Sequence, residues 1–546
     1  MQKFYISVQL FVLALISLNA WATHPHESQQ KLVFCSEGSP DHFAPSLRAT
    51  TTSRNINNAI YETLVTHIRG ETKLAPGLAE HWEISPDGKQ YTFFLRRGVK
   101  WHSNRFFQPK RSFNADDVLF MLERQWKTDH PFHRVTGSDH QYFKIAGLGD
   151  LIHAVERIDD YTIKIKLREP TAPFLSILTH PFSGIQNKEY AMAMLKHGRP
   201  EIIDQQPIGT GPFQFLHYEK DERDQFTAFL DYWRGRSKLD ALDFLIAPQA
   251  SNRWLKLKNN ECHVMPHPNL DDLYEMRRHP EISVIEQTGL NIGYLAYNVK
   301  KPPFNNVRVR QALNMAINKQ AILERVFQGT AVDAVNLIPP TMWSYNHRVP
   351  SDRYDPAAAK QQLKDAGFDN GFATDLWVMP VERAYNPNPK LMGEMIQRDL
   401  SVVGVKAEIK TYEWSDHYKR ITSGEHQMAL LGWTGFHSDP DYFFHNLLSC
   451  KAAIEGGTNI AKFCDPTYEA LIQQARQVAN PTQRIPLYEE AQRIFKEQAP
   501  WLTIAYGKQI VVIRKEVLNF RLNPFGLQQF YGVELMPSNQ NSPEQK

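Results

Sequence analysis

Leu376-Trp377-Val378-Met379, then the stretch Pro389–Val403, then Val405-Lys406-Ala407-Glu408-Ile409 follow one another with short joints between them. The outer two read as strands and the middle one as an amphipathic helix. A strand, a crossover helix and a second strand is the unit that builds parallel pairing. The rhythm continues around this unit. Ile292-Gly293-Tyr294-Leu295-Ala296-Tyr297-Asn298 is a strand pattern, Asn306–Asn318 a helical one, and the alternation runs on to about Ala505. It predicts an α/β architecture with a mostly parallel sheet and helices on its faces.

The first half of the chain is patterned differently. Lys31–Cys35 begins a short apolar strand, and Asn55–Val65 carries Ile56, Ile60 and Leu64 at helical spacing. Trp82-Glu83-Ile84, the turn Pro86-Asp87-Gly88 and Tyr91–Leu95 predict two strands around a turn. Proline presets one dihedral of that turn and glycine permits the other. Asn114 is placed to cap a helix over Ala115–Trp126, with Asp116 and Asp117 favourably set in its first turn. Tyr161–Leu167 alternates as a half-buried strand does. No internal repeat and no long linker separates the halves, so lobes joined by strands, a hinged clamshell, are expected.

The 546 residues are 42% hydrophobic and 22% charged, values of a globular chain rather than a disordered one. Length suggests two to four core-building units. Sixty-two basic against 59 acidic residues leave a net charge of +3, with no field strong enough for nucleic acid. Residues 1–22 read as a cleaved signal peptide: Lys3, an apolar run from Ile6 to Leu18, then Ala20-Trp21-Ala22. The run is too short for a membrane span, and the first cysteine is Cys35, so a diffusible periplasmic protein is expected. In that oxidising compartment the four cysteines should pair, and three connectivities exist. Cys450 and Cys464 are close in sequence and flank Gly456-Gly457, which leaves Cys35 with Cys262. No C-x-x-C spacing supports a metal, and no metal or cofactor is expected.

Several blocks then occur in a specific order. They are Leu74-Ala75-Pro76-Gly77-Leu78-Ala79-Glu80-His81-Trp82, Phe94–His102, Phe113-Asn114-Ala115-Asp116-Asp117-Val118, Pro207–Phe213 and Val309-Arg310-Gln311-Ala312-Leu313 with Ala316-Ile317-Asn318. Over nearly all of the mature chain this set resembles the peptide-binding subunits of ABC importers, extracellular solute-binding family 5. Asn336–Trp343, Tyr412-Glu413-Trp414 and Gly432-Trp433-Thr434-Gly435 are most similar to its dipeptide-binding members. The resemblance implies a type II, two-lobed periplasmic-binding-protein clamshell with an extra subdomain on the first lobe. Lobe I would comprise 23–288 and 508–546, with a subdomain inserted at about 61–209, and lobe II 289–507. It also implies both disulfides, a monomer, a short-peptide ligand, and delivery to an inner-membrane ABC permease without catalysis.

An enclosed peptide needs both of its charged ends met, because a buried unpaired charge costs several kcal/mol. Arg383, with Tyr385 beside it, matches the position of the arginine that holds the ligand carboxylate in dipeptide-binding relatives. It also falls in a loop at a strand's carboxyl end, where α/β folds place ligands. At the amine end the chain departs from the family. Relatives carry an aspartate three residues after the tryptophan of the Gly-Trp tract, and here that position is Phe436. Trp433 and Gly435 belong to the same tract, and Thr50, Thr51 and Thr52 follow the first strand, where relatives present backbone groups. Asp439 and Asp441 read as structural and His437 as a solvated loop histidine. A carboxylate ligand with an altered amino end, such as an amino-blocked or modified peptide, is therefore expected, with haem as an alternative.

No G-x-S-x-G or H-E-x-x-H motif points to a hydrolase, and Gly209-Thr210-Gly211 lacks the lysine and spacing of a phosphate loop. A periplasmic chaperone or antimicrobial-peptide trap would bind long peptides broadly and weakly.

Overall fold

The computed structural model describes residues 30–47, 50–137 and 140–536. The signal segment 1–22 lies outside the described residues. Six strands organise the site: β1 (Lys31–Ser36), β2 (Asn291–Tyr297), β3 (Phe372–Val378), β4 (Val405–Lys410), β5 (Met428–Thr434) and β6 (Trp501–Arg514). The helices that matter are α1 (Thr51–Ile60), α2 (Pro389–Val402), α3 (Trp414–Ser423), α4 (Asp441–Leu448), α5 (Pro466–Gln477) and α6 (Pro481–Gln498).

The β3–α2–β4 unit forms as the sequence predicts. β3 and β4 run parallel with Leu376 opposite Ile409. Asn388 caps α2 by accepting the Leu391 N–H at 3.0 Å, and Pro389 takes the first helical position. Met392, Met395, Ile396 and Leu400 point from α2 into a core shared with Leu376 and Val405. A second core with Tyr294, Phe443, Tyr488 and Trp501 fills the opposite face.

The large sheet is mixed rather than mostly parallel, a correction to the reading from sequence. Its order is β4, β3, β5, β2, β6, Val264–Pro266, β1, Ala241–Ile246, Arg223–Ala228 and Phe213–Glu219. β3 is parallel to β4 and β5, and β1 to its neighbours, whereas β2, β6 and the 213–228 hairpin pair antiparallel. Strand–helix alternation gives the elements but not their direction, and β6 enters the middle of the sheet against β2. β6 also spans both halves. Trp501–Ala505 pairs with β2, while Lys508–Arg514 pairs with Ile282–Thr288.

A separate sheet, ordered Ala79–Ile84, Gln90–Leu95, Thr162–Leu167 and Ile152–Asp159, packs under the helix Ala115–Trp126. That helix carries a reciprocal cap between Asn114 and Asp117. α1 is displaced from its expected bounds. Thr50 accepts the Ser53 N–H at 3.3 Å and starts the helix early, and Tyr61 turns extended. Leu64 therefore leaves the helix and joins the core of the smaller sheet with Leu78 and Phe93. Both expected disulfides are present, Cys35–Cys262 and Cys450–Cys464, with Cα separations of 5.8 and 4.5 Å. Among the described residues no helix is long and apolar enough to cross a membrane.

Candidate functional site

The loop after β3 lies across the face of the sheet on a floor of glycines. A side chain on Gly293 would meet the Tyr385 carbonyl oxygen, one on Gly432 the Tyr385 ring, and one on Gly507 the Ala384 carbonyl oxygen, all at clash distance. These glycines stand on the adjacent strands β2, β5 and β6, so Cβ atoms missing from all three make the channel that seats the loop. Arg383 and Asn386 exchange backbone hydrogen bonds of 2.9 and 2.8 Å and close the loop's tip. The Arg383 side chain is exposed. Its guanidinium donates to the Glu382 carbonyl at 2.7 Å and stands 5.7 Å from the Trp414 ring, with no ion pair to it among the described residues. Tyr385 is buried, and desolvation pushes its hydroxyl up to about 12.

β5 leads into a second cluster. Trp433, at its end, packs 5.8 Å from Tyr442 on α4, and its indole Nε1 is buried without a partner. Gly435 donates its N–H to the Leu290 carbonyl at 2.7 Å. Phe436 then projects across the molecule. Its ring meets Tyr142 at 5.9 Å, His180 at 5.5 Å and Tyr442 at 5.9 Å. The guanidinium of Arg54 stands 5.3 Å from its centroid. Thr51 helps to hold that arginine by accepting its Nη2 at 3.2 Å.

Phe436 is a wall of two cavities. One, of about 380 Å³, is lined by Asn57, Glu62, Arg69, Arg234, Phe525 and others. The other, of about 270 Å³, is more apolar and lies among Tyr142, Ile177, His180, Tyr442 and His445. Among the described residues no group of histidine, cysteine, aspartate and glutamate side chains is placed to hold a metal.

The acidic residues near Phe436 are engaged elsewhere. Asp439 receives two hydrogen bonds from Arg484, at 2.7 and 2.6 Å, deep in the protein. That guanidinium outweighs the cost of burial and holds the Asp439 carboxyl below its ordinary range. Asp441 pairs with Arg476 at 3.2 Å. His437 is buried rather than solvated, which corrects the sequence reading. Its ring packs 4.8 Å from Tyr442, and desolvation lowers its pKa to about 4.

The model of the bacterial extracellular solute-binding proteins, family 5, matches residues 73–454. The chain is also 48% identical to the Dipeptide-binding protein of Escherichia coli (strain K12), covering 95% of this chain and 97% of that one. The chain belongs to this family. It is 43% identical to Heme-binding protein A of Haemophilus influenzae, over 93% of each chain. Among solved structures, HbpA2 from Haemophilus parasuis superposes with a TM-score of 0.90 at 41% identity, covering 92% of this chain and 99% of that one. The fold is the type II, two-lobed clamshell of periplasmic binding proteins.

Within this family-5 fold the residues singled out from sequence fall into two groups. Arg383 and Tyr385 form one, and Trp433, Gly435 and Phe436, with Thr51 through Arg54, form the other, whereas Thr50 caps α1 and bonds to Ser53 and Asp41. Neither cavity at Phe436 is lined by Arg383. Tyr418, on α3, packs 5.7 Å from the Trp414 ring, over which the Arg383 guanidinium also stands. Sequence reasoning missed Tyr418, Tyr442 and Arg54.

Proposed function

We propose that the protein is the periplasmic binding subunit of an ABC importer for dipeptides or short peptides. What carries the reading is 48% identity, over 95% of the chain, to a Dipeptide-binding protein. Lobe I (23–288 with 508–546) and lobe II (289–507) close on the ligand and present it to a membrane permease. Their boundary follows β6, which changes partners between Ala505 and Lys508. Across that boundary His67 Nε2 meets the Ser438 hydroxyl at 3.3 Å, and Ala172 N–H donates to the Arg476 carbonyl at 2.8 Å. These contacts are the kind that a closed clamshell makes.

In this reading Arg383 receives the ligand's carboxylate. A planar guanidinium on a loop fixed by backbone bonds suits that role, because it forms paired charge-assisted hydrogen bonds. Tyr385 shapes the pocket from below, and Trp433 and Phe436 line the far end. Residues 1–22 direct the chain to the periplasm.

Native mass spectrometry of protein purified from periplasm, with any released ligand identified, tests the proposal. Short peptides or peptide-like carboxylates are expected. Stoichiometric haem, seen as a Soret band, would overturn the peptide reading and favour the function in the name of Heme-binding protein A.

A further inference from the structure

The larger cavity beside Phe436 is rich in positive charge. Arg69 and Arg234 stand in its wall. Arg54 lies one turn before the lining residues Asn57 and Asn58 on α1, over the Phe436 ring. None of the three arginines has an ion pair among the described residues. The Nε groups of Arg54 and Arg69 are buried donors without a partner there.

Glu62 is the carboxylate in that wall, and it is already committed. It accepts Thr210 Oγ1 at 2.9 Å, Tyr232 OH at 2.9 Å and Trp233 Nε1 at 2.9 Å. It therefore holds neighbouring side chains together and offers little to an incoming cation. A ligand ammonium stacked on Phe436 would also meet the guanidinium that already lies over that ring. Buried donors without acceptors are costly, and an anion relieves them.

We propose that this cavity is an anion subsite, so that the ligand is a peptide carrying an acidic group, instead of a free ammonium, at the end that reaches Phe436. The inference rests on the peptide-binding reading and deepens it by naming the ligand class. Arg383 takes one carboxylate, and Arg69 and Arg234 in the cavity wall, with Arg54 beside Phe436, take the second anionic group.

Calorimetry with one dipeptide in three forms tests this: free, N-acetyl and N-succinyl Ala-Leu. The succinyl form is expected to bind about tenfold or more tighter than the acetyl form, and the free form weakest. In the Arg54→Met/Arg69→Met double variant the succinyl and acetyl forms should bind equally. Raising the salt concentration should erode the succinyl preference of the wild-type protein. Equal binding of all three forms by the wild type, or tightest binding of the free dipeptide, would overturn the inference while leaving peptide binding intact. Binding of none of the three would overturn both. The wild-type series decides the question even if the double variant does not fold.

Discussion

The guanidinium of Arg54 stands 5.3 Å from the centre of the Phe436 ring, where α1 meets the segment that follows β5. The family resemblance implies a carboxylate at the position of Phe436, to meet a ligand's ammonium. Here an aromatic ring and an arginine occupy that end together, so the altered residue is one half of a pair.

The pairing makes the effect of restoring the carboxylate non-additive. In Phe436→Asp the new carboxylate lies within reach of Arg54 and pairs with it, leaving little charge for a ligand. Free-dipeptide affinity should therefore change less than about threefold in the single variant and rise tenfold or more in Arg54→Ser/Phe436→Asp. Calorimetry on the full cycle checks this. A tenfold gain from Phe436→Asp alone would show that Arg54 does not hold that end.

Arg383→Ala should weaken a carboxylate ligand by about 2–5 kcal/mol, because its partner is left enclosed without a counter-charge. Arg383→Lys should recover only part of the loss, since an ammonium lacks the planar fork. Thermal stability should move little, because the side chain is exposed and its contacts, to the Glu382 carbonyl and over the Trp414 ring, lie at the surface. An unchanged dissociation constant in Arg383→Ala would remove it from the site.

The β3–α2–β4 unit, the Asn114 cap and the Pro86-Asp87-Gly88 turn were legible because each rests on neighbours in sequence. The direction of β6 was not, since it depends on pairing with strands far away in the chain. The two cysteine pairs followed from spacing and elimination. At the site, Phe436 was visible as a departure from a family pattern. Arg54 was not, because an arginine in a polar helix looks like a solvated face until the fold sets Phe436 over it. His437 was misread for the same reason: nothing local announces that Tyr442 covers it.

The glycine floor gives a prediction about positioning. In Gly432→Ala the new methyl would overlap the Tyr385 ring and push the loop carrying Arg383 off the sheet. Overpacking of this kind costs about 1–3 kcal/mol of stability. Affinity for a carboxylate ligand should fall at least tenfold, in parallel with a lower Tm. Wild-type affinity in a destabilised Gly432→Ala protein would show that the loop's seat is unrelated to binding.

Asp439 and Arg484 form a buried ion pair, with 5% and 2% of their side-chain surfaces exposed. Removing one partner strands the other's charge, so Arg484→Ala should cost about 3–5 kcal/mol in denaturant unfolding. The 437–441 loop next to Phe436 would lose its anchor, and ligand affinity should fall with stability. A loss below about 1 kcal/mol would mean that water reaches Asp439 and replaces the arginine.

Protonation of the histidines at the junction should loosen the fold in acid. Desolvation lowers the pKa of His67 to about 3 and of His437 to about 4, from an ordinary 6.5. His67 packs 4.6 Å from Phe525 and reaches Ser438, while Asp439, Asp441, Arg476 and Arg484 surround His437. Between 6.5 and these lowered values the unfolded chain binds protons that the folded chain does not. The stabilising contribution is therefore complete above 6.5 and shrinks as the pH falls toward about 4. Buried Asp224 is raised to about 7 and contributes with the opposite sign, so the useful quantity is the difference between wild type and variant. The loss of stability from about pH 7.5 to about pH 5 should be smaller in His67→Gln than in the wild type, read from denaturant midpoints at each pH. Identical pH slopes in the two proteins would mean that His67 takes up its proton in the folded state as easily as in the unfolded one.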